Sequence, residues 1–376
     1  MKIYYCFIIV LQIFSSVRSE KNVANNTLVL AHVIFRHGDG TPSQSALYKS
    51  NKFYNESFYD PYGYGQLTNK GKLKEYNLGV TLRKRYATFL NSSWNVKVCE
   101  AWSTDYDRTK MSLSLVLGGL FPAEDPLLWN PEVPWQPIPY NYLPVAQDKE
   151  LSSWACPTTL PLIYSDAANM EKLKSYDGLI NTLRDNTGED VDYISALDLF
   201  LGMYIQKEMG FPLDNWTSTI FPEPFKSYFV DFYYIETSTK ELKTVLAGYI
   251  LKKIITNSLN KINGSLVPPE RKIFLYSGHE VNAATVITSL NLYNLVDFPT
   301  YASYLIFEVH NIDGIYGIMI YYEDNTSDTP HALTLPGCKT FCPLEDFIKL
   351  TQDIIPTSDV ECYGNQTKVD KNTPTG

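Results

Sequence analysis

Positive charge is scarce in this chain. Its 376 residues carry 32 Lys and Arg against 41 Asp and Glu, a formal net charge of −9. Such a balance argues against nucleic acid or an anionic membrane as partner. If the substrate is an anion, positive charge must be gathered locally around it. Long apolar runs are also few. Beyond the first twenty residues no stretch is long and apolar enough to span a bilayer, and the tail "NQTKVDKNTPTG" is polar. No internal repeat and no low-complexity linker is present. Histidine occurs only five times, and His32 and His37 stand five apart on a strand-like run, a spacing that suits no metal pair. No metal site and no cofactor is therefore expected.

The chain does have a large apolar content, 44 %, with 14 % aromatics, enough for a substantial core. Its length predicts one large domain with an insertion, or two domains. The start, "MKIYYCFIIVLQIFSSVRSEKN", has one early cation, an apolar run, then Val17 and Ser19 placed for cleavage before Glu20. Residues 1–19 read as a secretory signal peptide. Its removal leaves 30 basic and 41 acidic residues, about −11, in a soluble, extracellular protein.

Five cysteines survive that cleavage: Cys99, Cys156, Cys338, Cys342 and Cys362. The odd number leaves one unpaired. Cys338 and Cys342, in "PGCKTFCP", are close enough for a small local loop, and with no second ligand pair zinc is the weaker reading. Sequons stand at Asn25, Asn55, Asn91, Asn215, Asn263, Asn325 and Asn365. In a secreted chain they mark glycosylated surface.

"TLVLAHVIF" (27–35) is a continuous apolar run rich in branched residues, as in a strand buried on both faces. "LTNKGKLKEYNLGVTLRKRYATFL" predicts a helix, with Thr68 as N-cap and Leu73, Tyr76, Val80, Ala87 and Leu90 at helical spacings. "WNVKVCEAWS" alternates as a second strand, and "RTKMSLSLVLGGLF" reads as a helix. From about 126 to 267 the patterns are mostly helical. Strand character returns in "RKIFLYSG", a helix follows in "VNAATVITSLNLY", and "SYLIFEVH" and "GIYGIMIYYE" form a hairpin. The expected fold is α/β: a mixed central sheet flanked by helices, built from 20–125 and 268–376, with a helical cap domain inserted at 126–267.

Three strand ends carry the candidate chemistry. The first delivers Arg36 and His37 in "FRHGDGTP", the second leads to Arg108 in "STDYDRT", and the third delivers His279 and Glu280 in "SGHE". In α/β sheets the crevice beyond the strand C-termini is the usual ligand site. Arginine forks suit phosphate oxygens, neutral imidazole can attack phosphorus, and a carboxyl can protonate the leaving oxygen. His32 and His310 fall within strand-like runs and read as core or sheet-face residues, while His331 reads as loop.

These residues resemble the histidine acid phosphatases of the histidine phosphatase superfamily. "RHGDGTP" is similar to the family's Arg-His-Gly-x-Arg-x-Pro signature, "STDYDRTKMS" to its Ser-Thr-Asp-x-Asp-Arg-Thr segment, and "SGHE" stands where the family has His-Asp or His-Glu. "HVIFRHGD", "DRTKMSL" and the "WQPIP"-like run point in particular to the secreted, venom-type acid phosphatases of insects. The order and spacing agree from about 27 to 362. The resemblance implies that His37 is the nucleophile and forms a phosphohistidine, and that Arg36, Arg108 and His279 hold the phosphoryl oxygens. Glu280 would be the acid, the substrate a small phosphomonoester, and no metal would be needed. It also implies disulfides Cys338–Cys342 and Cys156–Cys362, leaves Cys99 as a buried thiol, and allows a homodimer.

The chain departs from the signature at Gly40, where the family has its second arginine; Trp102 also replaces an arginine common before "STD". Loss of one such contact typically costs on the order of 100- to 1,000-fold in rate. Two outcomes follow: a weakened acid phosphatase, with Lys49 or Lys52 partly filling the gap, or a catalytically impaired secreted relative acting as a binding or venom- or saliva-type component.

Overall fold

The computed structural model describes residues 27–91, 93–324 and 329–364. The signal-peptide segment and the sequons Asn25, Asn325 and Asn365 lie outside them. Asn55, Asn91, Asn215 and Asn263 are all exposed.

The first half of the core alternates strand and helix: β1 (Leu28–Arg36), α1 (Asn69–Arg85), β2 (Cys99–Ser103), α2 (Asp107–Leu120) and the short β3 (Asn141–Tyr142). Helices then follow one another: α3 (Thr159–Ser165), α4 (Ala167–Lys174), α5 (Asp177–Thr187), α6 (Ser195–Glu208), α7 (Phe225–Glu236), α8 (Lys240–Lys243) and α9 (Tyr249–Ile262). The core resumes with β4 (Ile273–Gly278), α10 (Glu280–Ser289), β5 (Tyr304–Ile312), β6 (Ile315–Glu323), β7 (His331–Leu333), β8 (Cys342–Pro343), α11 (Leu344–Thr351) and α12 (Val360–Tyr363).

One mixed sheet runs in the order β3-β2-β4-β1-β5-β6-β7, with β8 also paired to β6. Strands β1, β2, β3 and β4 are parallel where they pair, and β5, β6, β7 and β8 join antiparallel. The expected hairpin is β5–β6. Strand β1 lies between β4 and β5, which is why its sequence is apolar on both faces. Leu30 and Ile34 face one buried cluster, Ala31, Val33 and Phe35 the other. The second cluster is roofed by Leu78 and Leu82 of α1 and Leu113, Val116 and Leu117 of α2. The first joins the sheet to Phe200, Phe225, Phe229 and Ile254, so the helical region shares its core with one sheet face.

Helix α1 begins at Thr68 as expected, the Thr68 side chain accepting from the Gly71 N–H at 3.2 Å. Its buried face differs from the expected stripe. Leu73 and Tyr76 are exposed, while Gly71, Glu75, Leu78, Gly79 and Leu82 are buried. Close backbone approach decides this. A Cβ on Gly71 would meet Asp39 O at 2.1 Å, and one on Gly79 would meet Val116 O at 2.2 Å. Helix α1 lies against backbone at both points, so glycines mark its inner face.

His32 is buried and stacked on Phe274, and burial drops its pKa to about 3. His310 is buried on β5 beside Glu308 at 3.3 Å. His331 corrects the loop expectation: it opens β7 and pairs with Tyr322 of β6. Cys156 is bonded to Cys362 and Cys338 to Cys342, and Cys99 is the buried free thiol, its pKa pushed up to about 12 by burial.

Candidate active site

The C-terminal ends of β1, β2 and β4 are held level by backbone bonds that continue past the strands. The His37 N–H donates to Gly278 O at 3.0 Å, and the Thr104 N–H donates to Ser277 O at 3.1 Å. Arg36, His37, Arg108, His279 and Glu280 meet at this edge.

His37 is the middle of the group. Its Nδ1 lies 2.9 Å from Gly38 O. A carbonyl only accepts, so Nδ1 carries the proton and Nε2 has a free lone pair. Arg108 donates from Nε to that Nε2 at 3.2 Å. Burial, then the charges of Arg108, His279 and Arg36, hold the His37 pKa well below the usual histidine range. The imidazole is therefore neutral, the form a nucleophile requires.

Gly38 is required by contact: a Cβ there would lie 2.5 Å from Gly71 O. Its N–H donates to the Ser112 hydroxyl at 3.2 Å. The turn after β1 is thus pinned by α1 on one side and α2 on the other.

Arg36 is fully buried. Its Nη1 donates to Pro299 O at 2.7 Å, and its guanidinium stacks over Tyr301 at 4.1 Å and near Phe298 at 5.7 Å. Its Nε lies 3.1 Å from Glu280 Oε2, an ion pair without hydrogen-bond alignment. Burial works against the charge, yet Glu280 and the surrounding tyrosines leave the Arg36 pKa raised. Arg108 makes no such ion pair among the described residues; burial lowers its pKa, and the charge of Glu280 only partly opposes this.

His279 caps α10, and its backbone N–H donates to Asn282 Oδ1 at 2.8 Å. Its Nε2 is 3.2 Å from Thr104 Oγ1. The Thr104 hydroxyl already donates to Thr109 Oγ1, so it accepts from His279 Nε2–H. Burial, followed by Arg108 and Arg36, keeps the His279 pKa well below 6.5. The two imidazoles meet edge to face, with centroids 5.4 Å apart. Glu280 is the first residue of α10 and is buried.

The geometry adds residues that sequence reasoning did not single out. Tyr301 lies 5.7 Å from His37, centroid to centroid, and its hydroxyl has no hydrogen-bond partner among the described residues. Tyr106 sits edge-on to His279 at 5.0 Å and under the Arg108 guanidinium at 4.8 Å. Thr104 and Tyr106 flank the quoted "STDYDRT" arginine and could have been found from it; Tyr301 had no such signal.

Gly40 is buried and bridged to Leu67. A Cβ here would stand 2.9 Å from Gln66 O. Thr41 ties the same segment down, its N–H donating to Gln66 O at 2.8 Å and its hydroxyl to Gly63 O at 2.6 Å. Segment 63–67 therefore lies against the position where the signature has an arginine. Lys52 holds its ammonium over the Phe53 ring and Lys49 is exposed beside Glu189; among the described residues neither touches the site. Trp102 points away from it, donating to Glu100 under the Lys253 ammonium.

Residues 27–329 match the histidine phosphatase superfamily (branch 2). The chain belongs to that family. It is 35 % identical to venom acid phosphatase Acph-1 of Apis mellifera over 338 residues, covering 87 % of this chain and 85 % of that one. It is 34 % identical to prostatic acid phosphatase of Bos taurus, covering 88 % and 86 %, and 30 % identical to the lysosomal acid phosphatase of the same species, covering 88 % and 78 %. Among solved structures, the phytase from Citrobacter braakii superposes with a TM-score of 0.64 at 15 % identity, covering 90 % of this chain and all of that one. At that identity the likeness shows the fold alone, the histidine phosphatase fold expected from the sequence.

Proposed function

We propose that the protein is a secreted, glycosylated acid phosphatase that hydrolyses small phosphate monoesters through a phosphohistidine on His37. The observation that carries this reading is the state of His37: Nδ1 is protonated toward Gly38 O, and Nε2 is unprotonated beside Arg108. Sequence similarity to acid phosphatases supports the reaction class.

The arriving phosphoryl group competes for Arg108, which releases the His37 lone pair and turns to the phosphoryl oxygens. Arg36 adds its remaining N–H groups, and His279 turns its Nε2–H from Thr104 to a phosphoryl oxygen. Nε2 attacks phosphorus and the ester P–O bond breaks. Glu280 gives its proton to the leaving oxygen. Water then attacks the phosphohistidine, Glu280 takes up the proton, the N–P bond breaks and phosphate departs. In the resting site Glu280 faces Arg36 as an ion pair, so the acid step needs a proton brought in with the substrate. The phosphate ester monoanion, which predominates below a second pKa of about 6, can bring it. That accounts for an acidic working range.

Gly40 weakens the site, because no arginine fork reaches the phosphate from that position. The closure of 63–67 on Gly40 also favours the second reading, a catalytically impaired secreted relative that binds a ligand without turning it over. Hydrolysis of p-nitrophenyl phosphate at about pH 5 separates the two. Turnover in the wild type that is absent in His37→Ala, with labelled phosphate trapped on His37 at acid quench, supports the enzyme. Equal rates in the two proteins leave the binding reading. The helical region at 126–267 is proposed as the cap that shapes the pocket, and a homodimer as the assembly, measurable by light scattering.

A further inference from the structure

A recess of about 240 Å3 lies where the last turn of α6 meets the segment between α10 and β5, walled by Phe200, Tyr204, Phe221 and Phe298. The Phe298 ring meets Tyr204 edge to face at 4.9 Å and Phe200 at 5.7 Å, and Phe200 lies 5.8 Å from Phe221. Arg36, His37, Arg108, His279 and Glu280 do not line the recess. Phe298 stands 5.7 Å from the Arg36 guanidinium, so the recess is a neighbour of the catalytic group and no part of it. Its volume is below the roughly 300–1,000 Å3 usual for drug-sized ligands, so it suits a molecule with a single ring. Walls of aromatic rings favour a further ring, packed edge to face or offset.

The charged side chains at the rim are mostly engaged. Lys226 pairs with Asp297 at 3.0 Å, and Glu208 pairs with Lys70 of α1 at 3.7 Å. Lys207 is different. It lines the recess, is exposed, and makes no ion pair among the described residues; its ammonium lies 5.4 Å from the centre of the Phe221 ring. An apolar space the size of one ring thus has one unneutralised cation at its edge. We propose that this recess binds a small aromatic carboxylate, with the ring against Tyr204, Phe221 and Phe298 and the carboxylate on Lys207. The site is separate from the phosphatase reading above and stands whether or not esters are hydrolysed.

Calorimetry on the intact protein with phenylacetate, phenethylamine and acetate tests the proposal. Phenylacetate should bind saturably at millimolar concentration, phenethylamine about threefold more weakly or worse, and acetate, which has no ring, not measurably. Lys207→Gln should weaken phenylacetate about threefold, the effect of one exposed ion pair, and should not weaken phenethylamine. Tyr204→Leu should weaken both ring ligands alike. Saturating inorganic phosphate, which Arg36 and Arg108 attract, should leave phenylacetate bound. Displacement of phenylacetate by phosphate would put it among the catalytic residues and overturn the proposal. Equal affinity for acid and amine, an unchanged Kd in Lys207→Gln, or no saturable binding by the folded wild type would each do the same. Should Tyr204→Leu fail to fold, Lys207→Gln, at an exposed position, still decides.

Discussion

Arg108 donates its Nε–H to the Nε2 of His37 across 3.2 Å, so one arginine both depresses the basicity of the imidazole and occupies its attacking lone pair until a substrate arrives. The two effects can be separated. Arg108→Gln should lower kcat by about 100- to 1,000-fold through loss of a phosphoryl contact. It should also raise the His37 pKa, because one of the charges opposing protonation is gone. A nucleophile must be neutral, so the acid limb of kcat/KM moves to higher pH. NMR titration of His37 in the free protein should show the same shift. An unmoved acid limb would mean that burial alone sets the basicity of His37.

Restoring the signature at Gly40 will not be a free gain. The Cβ of any residue there meets Gln66 O at 2.9 Å, and that carbonyl already accepts from Thr41. Gly40→Ala and Gly40→Arg should each lose about 1–3 kcal/mol of unfolding free energy, the usual cost of overpacking. Urea denaturation measures it. The rate to compare with Gly40→Arg is that of Gly40→Ala, which shares the steric shift but lacks the guanidinium. Faster turnover in the arginine variant would assign the deficit to the missing charge.

Glu75 lies fully buried near Asp39, with neither carboxyl oxygen hydrogen-bonded among the described residues. Burial, then the nearby Asp39, lifts its pKa well above the carboxylate range, Lys74 only partly opposing. A carboxyl raised in the folded state favours folding below its unfolded pKa, near 4.5, and loses that contribution as pH rises through the folded value. Glu75→Met should therefore stabilise the protein by about 1–3 kcal/mol at pH 7, and by less at pH 4.5. Thermal unfolding at both pH values is the check; a gain that grows toward pH 4.5 would contradict it.

The two disulfides should contribute unequally. Cys156–Cys362 closes a loop with a sequence separation of 206, Cys338–Cys342 one of only 4. Loop entropy allows up to about 5 kcal/mol for the first and about 2 kcal/mol for the second. Paired Cys→Ser variants should show the larger fall in Tm for Cys156 and Cys362. Cys99→Ser changes no disulfide and serves as the control.

The sheet and the site were legible for a shared reason. Strands β1 and β4 are so apolar that their ends are plain in the sequence, and parallel strands that pair in register must present those ends together. His37 and His279 therefore announce themselves although they stand 242 positions apart. The inner face of α1 was not legible, because Gly71 and Gly79 are buried there by backbone contact, which leaves no hydrophobic trace; Leu73 and Tyr76 kept the periodicity and faced solvent. Nor was Glu75. An acidic residue on a helix reads as a solvated one, and only tertiary packing decides that this one is buried with no hydrogen-bond partner among the described residues.

Helices α6 and α7 share one buried cluster with the sheet, from Ile34 through Phe200 to Phe229. A change of core volume at that seam is felt on both sides of it, so the sheet and the helical region gain or lose stability together.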